Sequence, residues 1–348
     1  MFRAVAPAAA LAAVLALTSA GTHPALARAD DKKPKTIGSI DRKDPRLDAL
    51  IPKDAVIEVL AEGFKWTEGP VWDKKHGALL FTDIPNNRVM RWSPTEGLKE
   101  FLKPSGYTGS APFKGPEPGA NGLAFDKDGH LILCQHGDRR VSRLGPDGKF
   151  IPLAEKYMGK RLNSPNDLVF NKNGDLYFTD PPYGLPEQMK DPAKELDFQG
   201  VYRLKPGGEL TLLTKEMSRP NGIGLSPDEK TLYVANSDPD KAVWMAFPLG
   251  ADGTISGPGK QLHDATADVK ANPEKGLPDG LKVDQKGNIF ATAVNGVYVF
   301  APDGALLGRI VTNDKTANCA FGDDGSTLYL ATNHRLTRVK TTTKGLGF

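Results

Sequence analysis

One pattern recurs six times along the chain and leaves few folds open to it. The segments beginning at Glu68 (EGPVWDKKHGALLFTD), Asn121 (NGLAFDKDGHLILCQH), Asn166 (NDLVFNKNGDLYFTD), Asn221 (NGIGLSPDEKTLYVAN), Asp279 (DGLKVDQKGNIFATA) and Asn318 (NCAFGDDGSTLYLAT) share it. Each opens on a polar residue, alternates apolar positions, turns at a Gly/Asp/Lys cluster, and ends a second apolar run in Thr, Asn, Asp or His. Period-two alternation around a glycine turn is the signature of a β-hairpin. Lys127-Asp128-Gly129, Lys172-Asn173-Gly174 and Gln285-Lys286-Gly287 put glycine where a positive φ is required. A third strand is expected after most hairpins, at 88–92, 139–144, 200–204, 242–247 and 296–300.

The opening residues are 53, 45, 55, 58 and 39 residues apart, a period near 50. Helical repeats would carry a 3.6-residue periodicity, and barrel or doubly wound folds would alternate strands with long amphipathic helices; neither pattern is present. The expected fold is all-β, a six-bladed β-propeller over residues 55–341 with a central metal site. The 37 Gly and 28 Pro in 348 residues suit a chain that turns this often, and 39% hydrophobic residues suffice for a core. Ala55–Ala61 (AVIEVLA) alternates ahead of the first repeat and is expected to complete the last blade beside residues 336–340, leaving no open sheet edge.

Residues 1–29 read differently. Arg3, an Ala/Leu/Val run from Ala8 to Leu17 and Ala25-Leu26-Ala27 fit an export signal cleaved after Ala27 or Ala29, which predicts a periplasmic or secreted protein. The apolar run is too short to span a bilayer, and no later stretch approaches 18 apolar residues, so no membrane span is expected in the mature chain. Residues 30–54, dense in charge and Pro, are expected as a solvated leader, and 342–348 as a C-terminal tail. Cys134 and Cys319 fall in non-adjacent units and are expected as buried free thiols. With 45 basic against 42 acidic side chains, a net charge of +3 argues against nucleic acid as partner.

In a propeller the first strand of each blade lines the axial channel, so the six opening residues occupy equivalent places. Glu68, Asn121, Asn166, Asn221, Asp279 and Asn318 are all carboxylates or carboxamides. Each alone is a turn former that begins a strand cheaply; together they make an oxygen ring that no apolar or basic residue interrupts. Hard oxygen donors without His or Cys favour Ca²⁺, then Mg²⁺ or Mn²⁺, with Zn²⁺ later. Such an ion, left with open water positions, polarises a carbonyl and lowers the pKa of bound water.

Strand direction puts the longest irregular segments, 103–119, 181–199 and 264–278, on the face of these residues, where they rim the channel. The returning strands bring Asp83, His136, Asp180 with Tyr183, Asn236, Asn295 and His334 to the same mouth. His136 is either a site histidine or a satisfied surface imidazole. His76 and His130 follow turns at the far end and are expected to be structural or exposed, Arg139 and Arg140 either orient an anion or solvate an outer strand, and Asp167 is a secondary candidate pointing toward the neighbouring sheet.

Glu68-Gly69-Pro70-Val71-Trp72, Arg161-Leu162-Asn163-Ser164-Pro165-Asn166-Asp167, Phe178-Thr179-Asp180-Pro181-Pro182-Tyr183-Gly184, Arg219-Pro220-Asn221-Gly222 and Pro278-Asp279-Gly280 resemble the gluconolactonase branch of the senescence-marker-protein, gluconolactonase and luciferin-regenerating-enzyme-like family. The resemblance runs from about Val56 to Val339. It implies a six-bladed propeller with one catalytic divalent metal, commonly Ca²⁺ or Zn²⁺, that hydrolyses sugar lactones or related esters. Residue by residue, it implies Glu68, Asn221 and Asp279 as metal ligands, Asn166 as a ligand or substrate-binding amide, and Asp279 as general base. Some animal relatives carry an arginine where this chain has Ser164, with Arg161 as the nearest substitute.

The expected activity is metal-assisted opening of a small-molecule lactone or ester, with Asn121, Asn166, His136, Tyr183 and Asn318 as substrate-binding candidates. No G-x-S-x-G elbow is present to support a serine acyl-enzyme. Two other readings fit the same residues: a binding propeller in which the ion only staples the channel, and a phosphotriester hydrolase using the same site.

Overall fold

In the computed structural model of the protein the described residues are Met1 and 34–348. The expected export signal lies outside them. Residues 34–348 form one compact unit built from six antiparallel blade sheets and a two-stranded hairpin, Lys156–Tyr157 with Lys160–Arg161, between blades 2 and 3. Four sheets have four strands in simple sequence order, and two have five. The innermost strands are Thr67–Asp73, Ala120–Phe125, Leu168–Phe170, Pro220–Leu225, Leu281–Val283 and Asn318–Gly322, and each touches the next around a closed ring. This is the six-bladed propeller, with blades numbered here in chain order. The one α-helix among the described residues, Thr266–Ala271, lies in a rim connection. Among the described residues no helix is long and apolar enough to cross a membrane.

The ring closes as the alternation of residues 55–61 predicts. Ile57–Glu62 pairs antiparallel with Arg335–Lys340, so the N-terminal strand is the fourth strand of blade 6. Apolar side chains between neighbouring sheets make the core: Trp72 and Tyr329 stack at 5.6 Å between blades 1 and 6, and Trp244, Tyr298 and Phe300 cluster between blades 4 and 5. Cys134 and Cys319 are buried and unpaired in separate clusters.

The leader differs from the expectation. Thr36–Ile37 adds a fifth strand to blade 6, and Ser39–Arg42 pairs with the outer strand of blade 5. Between them and the closing strand, a 3-10 turn at Pro45–Ala49 buries Leu47, while Leu50 and Ile51 pack with Leu307 and Ile310. The charge density of the segment hides three apolar residues close in sequence, enough to cover two outer edges that would otherwise stay open. The last residues also dock: the Thr343 hydroxyl donates to Asp284 at 2.7 Å, and Lys74 lies 4.3 Å over the Phe348 ring.

Candidate functional site

The opening residues do not sit in regular strands. In blades 1, 2 and 4 the pairing skips from Glu68 to Val71, from Ala120 to Leu123 and from Pro220 to Ile223. The residues in the gap, or at its edge for Glu68, are the ring residue and its glycine. In blades 3 and 5 the regular strand starts only at Leu168 and Leu281, after Asn166 and Asp279. An irregularity of this kind re-aims a side chain that strict alternation would send to a sheet face.

Glycine after the ring residue then has a steric cause. A Cβ on Gly69 would lie 2.0 Å from the Asn121 carbonyl oxygen, one on Gly122 2.6 Å from that of Asn166, and one on Gly222 2.1 Å from that of Asp279. Neighbouring blades approach too closely at the axis for any side chain there. Threonines of the second strands tie carbonyls of this kind: Thr82 donates to Asn121 O at 3.2 Å, Thr179 to Asn221 O at 2.7 Å, and Thr292 to Ala317 O at 2.8 Å. Blades 1, 3 and 5 thereby hold a backbone carbonyl at or beside the next ring position.

Glu68, Asn121, Asn166, Asn221 and Asn318 are all buried. Four side-chain oxygens at ring positions, Asn121 Oδ1, Asn166 Oδ1, Asn221 Oδ1 and Asp279 Oδ1, are closed to solvent and accept no hydrogen bond. A buried acceptor left unpaired costs roughly 1–3 kcal/mol, and four such atoms at equivalent places make a candidate site for a positive charge. Burial, followed by the charges of Glu68, Asp167 and Glu117, raises the Asp279 carboxyl well above its ordinary value. Burial likewise raises Glu68, with Asp167 adding to it, against the stabilising amide of Gly69 at 2.8 Å. The donor set of carboxylate and carboxamide oxygens fits a hard divalent cation.

Asn318 departs from the expected ring. It pairs regularly with Ala331, its Oδ1 accepts from Cys319 N at 2.9 Å and Lys282 Nζ at 3.3 Å, and its Nδ2 donates to Asp167 Oδ2 at 3.4 Å. Asp167 does not face the neighbouring sheet as expected. It reaches from blade 3 to Asn318 on blade 6, with Lys282 Nζ 3.9 Å away. Asp167 beside one ring position, Asn318 at another and Lys282 in the first strand of blade 5 form a polar plug that uses up the sixth amide.

Of the residues expected at the mouth, Asp83, Asp180 and Asn236 fasten backbone. Asp83 Oδ1 accepts from Lys65 N and Trp66 N, Asp180 Oδ2 from Asn163 N, and Asn236 Oδ1 from Arg219 N. The shared position clamps the segment two or three residues before each ring residue. Asn295 forms a tight turn at φ 63°, and His334 receives the Arg335 guanidinium at 2.7 Å. Arg139 donates to the carbonyls of Leu162, Asn163 and Ala193, Arg140 to Gln135 and Asp138, and Arg161 to Asp138 O. Ser164 bridges Pro181 O and Gly184 N. His76 and His130 each close a turn on an aspartate.

Asp126, Asp128 and His130 present ligand atoms within 4.8 Å of one another at the far end of blade 2. Asp126 Oδ1 is already used by the amides of Asp128 and His130. The cluster is a turn stabilised by its own hydrogen bonds.

Tyr183 does stand at the axial mouth: its hydroxyl reaches Ser237 O at 3.4 Å, and burial, then the nearby Asp279, raises its pKa, with Arg219 opposing and Glu117 adding to it. His136 is fully buried, with Nδ1 3.0 Å from Glu117 Oε2. Glu117, Lys282 and Arg219 are the residues that repeat logic passes over, because two lie in irregular connections and one on a strand position that differs between blades.

Comparison with known proteins bears on the whole propeller. The family model described as the SMP-30/gluconolactonase/LRE-like region matches residues 66–334. A gluconolactonase of Zymomonas mobilis is 41% identical over 339 residues, 96% of this chain and 94% of that protein. A pentonolactonase of Haloferax volcanii is 25% identical over 80% of this chain and 84% of its own length. Among solved structures, a gluconolactonase of Xanthomonas campestris superposes with a TM-score of 0.74 at 31% identity, covering 89% of this chain and 96% of that one. On the extent of these matches and the fold they share, the chain belongs to the SMP-30/gluconolactonase/LRE-like family.

Proposed function

We infer that the protein is a lactone hydrolase working at the axial mouth of the propeller, on sugar lactones of the kind named for its relatives. The observation that carries the reading is the set of four unpartnered buried oxygens on Asn121, Asn166, Asn221 and Asp279. Glu68, Asn166, Asn221 and Asp279 would hold one divalent cation, Ca²⁺ before Zn²⁺, Mg²⁺ or Mn²⁺, with Asn121 facing it or the substrate. When bound, such an ion supplies charge against the oxyanion that develops on a lactone carbonyl.

The chain's own residues supply the proton chemistry. Asp279 Oδ1 accepts a proton from water as the water oxygen bonds to the carbonyl carbon, and a raised carboxyl pKa suits that task. The ring C–O bond then breaks, and the proton returns to the departing alkoxide, leaving a hydroxy acid. Tyr183, Glu117 and Arg219 stand around the substrate at the mouth, and the connections 103–119, 181–199 and 265–278 limit the water that enters. The A-x-A segment near Ala27 supports a periplasmic or secreted location.

Replacing Asp279 with Asn tests the assignment. Proton release from glucono-1,5-lactone is expected to fall by about 10²-fold or more, with an unchanged β-type far-UV spectrum. Turnover near that of the unaltered protein would remove Asp279 from the chemistry. A phosphotriester assayed beside this lactone separates the two hydrolase readings.

A further inference from the structure

One charged contact at the rim is left unused by the ring chemistry. Glu117 lies in the connection between blades 1 and 2, with Oε2 3.0 Å from Nδ1 of His136. The Glu117 side chain keeps 26% of its surface exposed, whereas that of His136 has none. The contact is one of proximity: neither ring nitrogen of His136 has a hydrogen-bond partner within the protein. Burying an imidazole with so little to bond is costly, and the one polar group beside it is the Glu117 carboxylate, which it packs against at the rim.

The surroundings over-determine that contact. Gly119 N donates to Ile84 O at 3.0 Å, Ala120 N to Ser105 Oγ at 3.0 Å, and Gln135 Nε2 to Ser105 O at 2.9 Å. A Cβ on Gly137 would lie 2.6 Å from Pro118 O, and one on Gly184 2.6 Å from His136 Cβ. A Cβ on Gly115 would lie 3.2 Å from Pro186 Cα, so two rim connections meet beside Glu117. Glu117 stands four residues before the ring residue Asn121 and touches His136, against which Gly184, next to Tyr183, packs, and its charge adds to the groups that raise Glu68, Asp279 and Tyr183. A fourth carboxylate beside Glu68, Asp167 and Asp279 is unfavourable by itself. Partly exposed, it is suited to accept hydrogen bonds from hydroxyl groups, which are stronger when the acceptor is charged.

We propose that Glu117, positioned by His136, is the specificity-determining residue that accepts hydrogen bonds from the ring hydroxyls of the substrate, so that polyhydroxylated lactones are preferred over unsubstituted lactones of the same ring size. The proposal rests on the lactone reading above. It is tested by kcat/KM for glucono-1,5-lactone and for δ-valerolactone, which has the same ring without hydroxyls, in the unaltered protein, E117Q, E117A, H136N and the E117A/H136N pair. The ratio of the two constants falls about tenfold or more in E117A and less in E117Q, chiefly through KM for the hydroxylated lactone. H136N lowers the ratio in the same direction, and the pair is no lower than E117A alone, because His136 acts only through Glu117. A ratio within about twofold of the unaltered protein in E117A overturns the specificity role, and multiplying effects in the pair overturn the positioning role. If H136N fails to fold, as thermal melting would reveal, the two Glu117 variants still decide the specificity role. An unaltered protein that opens neither lactone refutes the lactone reading and this inference together; one that opens both, with a ratio Glu117 does not control, refutes the inference alone.

Discussion

Replacing Glu68 with Gln separates the cost of the axial site from its use. Burial pushes the Glu68 carboxyl up to about 8, from 4.5 in an open chain. The folded protein therefore holds this proton to higher pH than the unfolded chain does. Ionisation of Glu68 costs nothing below pH about 4.5, and stability is lost as pH rises from there toward about 8. At about 1.4 kcal/mol per pH unit, the loss accumulated by pH 7 is about 3 kcal/mol. For a chain of this size that corresponds to a melting-point difference of about 5 °C. Glutamine cannot ionise, so in chelator E68Q is expected to melt above the unaltered protein at neutral pH and to match it near pH 4.5. A divalent cation reverses the order, because it binds the folded carboxylate and stabilises by mass action. Melting curves across pH, with and without Ca²⁺, supply the measurement. Parallel pH slopes for the two proteins in chelator, or equal gains from the cation, would refute the reasoning.

Two further substitutions address how the blades hold the site. Gly222→Ala forces a Cβ to within 2.1 Å of the Asp279 carbonyl oxygen; it is expected to cost about 3 kcal/mol or more in urea unfolding and to displace Asp279, whereas a loss below about 0.5 kcal/mol would mean the blades part easily at the axis. Leu47→Ala, in the segment whose charge suggests a solvated leader, is expected to cost about 2–5 kcal/mol, because Leu47 is fully buried among Leu307 and Ile310; a near-neutral effect would return that segment to the role of a passive strap.

The six hairpins are legible because turn chemistry is local: a glycine at positive φ between two alternating runs needs no partner elsewhere to be recognised. The ring positions follow, since equivalent residues of a closed repeat face one axis. What local sequence does not carry is contact across the ring. Asn318 shares the motif position yet is bound by Lys282 and Asp167 from other blades. Asp167 was expected to face its neighbour, but the irregular start of blade 3, where pairing begins at Leu168, turns it inward. Asp83, Asp180 and Asn236 read as mouth residues because they end the right strands, although each commits a side-chain oxygen to a backbone amide before the ring residue of its own blade. Glu117 lies in a connection without period, and only the fold brings it to His136. The threonines that tie blade to blade were visible as F-T-D, F-T-D and A-T-A, a regularity whose meaning needs the neighbouring carbonyl.

The central claim is that an oxygen ring at the axis holds the cation on which lactone opening depends. Its most direct test is the rate of glucono-1,5-lactone hydrolysis by metal-stripped protein, measured as proton release while Ca²⁺, Mg²⁺, Mn²⁺ or Zn²⁺ is titrated back, in the unaltered protein and in E68Q. The account predicts background rate in the stripped protein, saturable recovery with at least one of these cations, and little or no recovery in E68Q at the same concentrations. Full turnover by the stripped protein, or equal recovery in E68Q, would contradict it.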